Sequence, residues 1–158
     1  MATDESIFLQ LDEDPGQVAE WLVAVLPLER LSGGQDEEEV ALRGRAATVD
    51  GWLRVSVGRN IYVSQEAGPG EVQAIDGYPI EIGIRFKPDE ILRREARLAF
   101  DKLVDARPEV PMLLVHEVTI LDAAHLPGSG TQYFDEAVTV DAPDQDKWRP
   151  WVVAPDGR

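Results

Sequence analysis

The segment DAPDQDKWRPW, at 141–151, holds three aspartates and two tryptophans near the end of the chain. Asp141, Asp144 and Asp146 are oxygen donors of the kind that hard cations such as calcium take. Their spacing departs from that of an EF-hand loop, which carries a glycine at its sixth position and a glutamate at its twelfth. Proline beside aspartate forms turns, so the acids read as turn residues and no metal is expected. Trp148 and Trp151 each bring roughly 150–250 Å² of surface; they are expected to fold back as a docked tail at 141–158, and only if exposed would they anchor a partner.

The two histidines, His116 and His125, are the sole imidazoles, and any zinc or general-base chemistry has to use one of them with Glu117 or Asp122 nearby. In a strand His116 shares a face with Leu114, while His125 falls by the LPG loop, so both read as structural. There is no Gly-x-Ser-x-Gly elbow, Gly33 and Gly34 lead into no phosphate-binding lysine, and GSG at 128–130 opens no helix. The glycines read as turns. Cysteine is absent, which excludes thiolate catalysis, disulfides and cysteine-based metal sites. No cofactor is expected.

The elements that must position these residues are legible in patches. SIFLQL at 6–11 reads as a strand with Ile7, Leu9 and Leu11 on one face. Asp14 before Pro15, with Gln17 three positions on, is a capping box that starts a helix over 15–26, striped by Val18, Leu22, Val25 and Leu26 and stopped by Pro27. LSGGQDEEE follows as an acidic loop. The Asp50 and Gly51 pair predicts a two-residue hairpin turn that places Val49 opposite Trp52, Ala46 opposite Val55 and Gly44 opposite Val57. Val40, Leu42, Ala46, Leu53, Val55 and Val57 then point inward, and Arg43, Arg45, Trp52 and Arg54 outward.

IYVSQ from Ile61 reads as a short strand and EAGPGE as a loop. IEIGIRF at 80–86 alternates cleanly, with its isoleucines on one side. Pro88, Asp89 and Glu90 open a second helix to about Arg107, striped by Leu92, Ala96, Ala99, Leu103 and Ala106. MLLVHEVTIL at 112–121 reads as one buried central strand, and 137–140 as a last strand. Two helices on one face of a mainly antiparallel sheet of five to seven strands bury both stripes. The expected fold is an α+β two-layer sandwich, a single domain over 1–158.

Charge is the strongest compositional signal. Thirty acidic residues against fifteen basic ones give the 158-residue chain a formal net charge of −15. Such a field repels nucleic acid and anionic membranes and speeds encounters with basic proteins. The first 29 residues hold seven acids and no lysine or arginine, whereas Arg43, Arg45, Arg54 and Arg59 cluster in the hairpin. The acidic N-terminus lacks the basic and apolar regions of a signal peptide, and no apolar run nears the ~20 residues of a membrane span. A cytoplasmic protein that binds neither nucleic acid nor membrane is expected, with its oligomeric state left open.

The run FDKLVDARPEVPMLLVHEVTILDAAHLPGSGTQYF, at 100–134, resembles the end of small bacterial immunity proteins that accompany polymorphic toxins, in particular the Sit-type (swarming-inhibition) proteins. The likeness consists of a helix, a long strand with an acidic residue, and a proline-glycine loop before an aromatic. It implies a single-domain, non-enzymatic inhibitor that binds a cognate toxin, and the negative charge of the chain suits a basic toxin domain. The contact residues are expected among Asp12, Glu13, Asp14, Asp36, Glu37, Glu38 and Glu39. A secretion-type chaperone would instead expose an apolar strand edge or patch, and a small enzyme would gather His116 or His125 with carboxylates around a pocket.

Overall fold

Residues 4–31, 39–62 and 72–154 are described by a computed structural model. The first strand sets its centre. β1 (Asp4–Leu9) is buried on both faces, with Ile7 and Leu9 on one side and Phe8 on the other. It pairs antiparallel with β5 (Ile80–Arg85) and with β6 (Met112–His116). Around it an eight-stranded antiparallel sheet runs in the order β2-β3-β4-β5-β1-β6-β7-β8. The remaining strands are β2 (Leu28–Arg30), β3 (Glu39–Arg45), β4 (Trp52–Arg59), β7 (Ile120–Leu126) and β8 (Gly130–Tyr133).

The fold is α+β, with one strand more than the upper expectation and a third, short helix. α1 (Pro15–Val25) begins as its residues dictate. Asp14 Oδ1 accepts from Gln17 N–H at 2.8 Å and Gln17 Oε1 accepts from Asp14 N–H at 3.0 Å, closing the capping box ahead of Pro15. α2 (Asp89–Ala106) starts with two acids in its first turn, where the helix dipole favours them. Val18, Ala19 and Leu22 of α1 join Leu92, Ala96, Ala99, Phe100 and Leu103 of α2 over Ile7, Val55, Ile82 and Ile84 of the sheet. Ala106, expected inside, is exposed at the last turn.

The opposite face divides in two. Over β1, β6 and β7 a second core gathers Phe8, Leu113, Val115 and Leu121 under Ile75 and Tyr78 and the C-terminal Val138, Val140 and Trp148. α3 (Gln145–Trp148) belongs to this cover. The β2-to-β5 half of the same face carries Arg43, Trp52, Arg54 and Arg85, all exposed. The sheet therefore has two layers on one half and a third layer on the other.

Four local expectations are corrected. The β3–β4 hairpin has the predicted faces but a different register: Val55 lies opposite Leu42, not Ala46, and Arg45 opposite Trp52. The displacement is even, so Val40, Leu42, Leu53, Val55 and Val57 all stay buried. Tertiary bonds widen the turn to 46–51. The Glu95 carboxylate accepts from Ala47 N–H, Thr48 N–H and the Thr48 hydroxyl, and Ala46 N–H donates to Gly51 O at 2.9 Å.

The apolar run at 112–121 is not one strand but a hairpin. Glu117 and Val118 turn the chain with φ of 52° and 60°, a conformation in which glycine or asparagine is usual, so no residue type announced the break. Ile61 and Tyr62 form a turn, not a strand, and the rest of that expected strand and the EAGPGE loop lie outside the described residues. The expected last strand at 137–140 reduces to a single bridge between Ile120 and Thr139.

Candidate functional site

The acidic triplet before α1 is fixed by two different bonds. Glu13 chelates Arg107, at the end of α2, through oxygens 3.2 and 2.9 Å from its two terminal nitrogens. That carboxylate raises the Arg107 guanidinium above its ordinary value, and Glu109 adds to the effect. Asp14 is the helix cap, and Asp12 is exposed. Glu13 and Glu109 thus act on one arginine at the end of α2, and Asp12 and Asp14 flank Glu13 in the chain. Glu39 is exposed at the start of β3, while Asp36, Glu37 and Glu38 lie outside the described residues.

The histidines have separate fates. His125 is buried; its Nε2 donates to Pro108 O at 2.7 Å and its Nδ1 hydrogen-bonds the Thr131 hydroxyl at 2.9 Å. One nitrogen serves the β7–β8 hairpin and the other ties it to the connection between α2 and β6. His116 instead meets Glu5, its direct cross-strand neighbour on β1. Its Nδ1 lies 2.8 Å from Glu5 Oε2. Arg93 of α2 reaches over both, with Nε 3.8 Å from Glu5 Oε1 and a terminal nitrogen 3.0 Å from Asp122 of β7.

Sequence reading missed Glu5 and Arg93, because the partners of this cluster come from elements far apart in the chain. Glu5 is fully buried and its Oε1 accepts no hydrogen bond. Burial pushes its carboxyl up to about 7, against the opposing pull of the His116 bond and charge. Burial likewise raises Asp122, opposed by Arg93 and His116. A bulge at Leu114 and Val115 and the positive-φ pair at 117 and 118 lie beside this cluster.

An apolar cavity lies apart from these groups. It measures about 140 Å³, sits between α2 and the sheet, and is lined by Ile7, Leu53, Val55, Ile84, Ala99 and Leu103, but by none of Glu5, His116 and Asp122. Glu95 borders it with its oxygens already taken by the 46–51 turn. Among the described residues no set of three His, Asp or Glu side chains is placed to hold a metal ion.

The C-terminal aspartates hold turns. Asp144 accepts from Thr139 N–H at 2.7 Å, which lowers its carboxyl below the ordinary value, and Asp141 accepts from the Gln73 amide at 2.9 Å. Trp148 is buried and donates through its indole nitrogen to Asp141 O at 3.3 Å; Trp151 is half-buried. Among the described residues no helix is long and apolar enough to cross a membrane. No protein-family model, curated protein or solved structure matches the chain.

Proposed function

We propose that the protein is an acidic, non-enzymatic binding module that occupies the basic surface of a protein partner, in the manner of an immunity protein neutralising a toxin. The observation that carries this reading is the junction at Arg107, where one guanidinium faces Glu13 and Glu109 beside the flanking Asp12 and Asp14. The Glu13 chelate and the Asp14 cap fix two of these carboxylates at the ends of α1 and α2. A rigid patch of one sign steers a basic partner and fixes its approach. The edges favour this reading over a chaperone: β2 has three residues and β8 four, too short to template an extended client.

The test is co-expression with the product of the neighbouring gene. Toxicity of that product should be suppressed and the two proteins should co-purify. Asp12→Lys with Glu109→Lys, which spares the cap and the Glu13 chelate, should slow association roughly tenfold at low salt and flatten its salt dependence. Absence of both rescue and complex would overturn the reading.

A further inference from the structure

The open half of the sheet aligns one row of charged side chains across five strands. Glu29 of β2 lies opposite Arg43 of β3, Arg43 opposite Arg54 of β4, Arg54 opposite Arg85 of β5, and Arg85 opposite Asp4 of β1. Both ends are closed. Glu29 binds Arg43 at 2.6 Å, and Asp4 binds Arg85 at 2.8 and 3.3 Å. Arg54, in the middle, has an arginine on either side and no carboxylate within ion-pair distance among the described residues.

Like charges set directly opposite one another destabilise a sheet, and this row does so twice in a chain with twice as many acids as bases. The flanks are built differently. On one side Trp52 is 45% exposed, with the guanidinium carbons of Arg43 and Arg45 at 4.6 and 4.5 Å from its ring. On the other the next row is Ala41, Ser56, Gly83 and Ser6, whose short side chains leave a shallow floor beside the guanidiniums.

We infer that this row is a docking surface for a short acidic segment of a partner protein. Strands lie about 4.8 Å apart, so the three guanidiniums span roughly 10 Å of sheet. Two carboxylates at alternate positions of an extended peptide, about 7 Å apart, fit within that span. One carboxylate takes the fork of Arg54 and a second bridges toward Arg43 or Arg85, as planar guanidiniums favour. The same row disfavours nucleic acid, because a continuing phosphate backbone runs past both ends onto Glu29 and Asp4. The surface lies on the face away from α1 and α2, so its test is independent of the acidic junction.

The probe is a fluorescent peptide bearing three glutamates at alternate positions, compared with its glutamine counterpart and with a single-stranded oligonucleotide of similar length, read by anisotropy at low and physiological salt. The glutamate peptide should bind, the other two more weakly by at least about tenfold. Arg54→Gln should cut peptide affinity about tenfold while leaving the melting temperature unchanged or higher, since it removes two like-charge neighbours. Equal or tighter oligonucleotide binding, no peptide binding, unchanged affinity in Arg54→Gln, or a lowered melting temperature in that variant would each overturn the inference.

Discussion

Glu5 is a carboxyl whose chemistry departs far from its type. Its side chain has no exposed surface, one oxygen bonds His116 and the other accepts nothing. Its carboxyl titrates near 7, against 4.5 for an unperturbed glutamate, chiefly because burial disfavours the anion. A carboxyl raised in the fold contributes full stability below pH 4.5, loses it as pH climbs to 7, and contributes a constant penalty above. The difference across that window is about 3 kcal/mol. Urea unfolding of the wild type should therefore weaken between pH 5 and pH 7.5 by about 2 kcal/mol more than Glu5→Gln does; parallel curves for the two proteins would refute it. Nothing at position 5 announced this role. The residue is one more acid in an acidic N-terminus, and its partners lie 111 positions away on His116 and across the helical layer on Arg93.

At the scale of elements, local signals succeeded where the cause was local. The Asp14 and Gln17 box fixed α1 to within a residue, and alternation in 80–86 fixed β5 and its inward face. They failed where a distant group decided the outcome. Asp50 and Gly51 favour a tight turn, but the Glu95 carboxylate of α2 captures the Ala47 and Thr48 amides and widens it. Those bonds hold Glu95 below its ordinary value although burial alone pushes the other way. Glu95→Ala leaves two amides unmatched and should cost about 2 kcal/mol. Hydrogen exchange should speed at Ala47 and Thr48 while amides of β1 and β6 keep their protection; uniform acceleration would show that the loop was not held by this contact. The break after His116 was illegible for another reason, since Glu117 and Val118 adopt a backbone conformation that their types disfavour.

Across the whole molecule, charge and cover are separable. The α+β class followed from periodicity alone, because two striped helices need one sheet face. The third layer did not, because Val138, Val140 and Trp148 come from a segment with no regular period. That layer is structural in a measurable sense. Trp148→Ala, which empties a site 4% exposed, should destabilise the protein by about 3 kcal/mol, read as a shift of the denaturation midpoint; a change below about 1 kcal/mol would mean the tail is dispensable. The pairing of β1 carries a different consequence. Asp4 meets Arg85 and Glu5 meets His116, so the middle of the sheet joins the beginning of the chain to its final third. Synthesis delivers β1 before β5 and β6, so both of its apolar faces wait for neighbours that lie far along the chain.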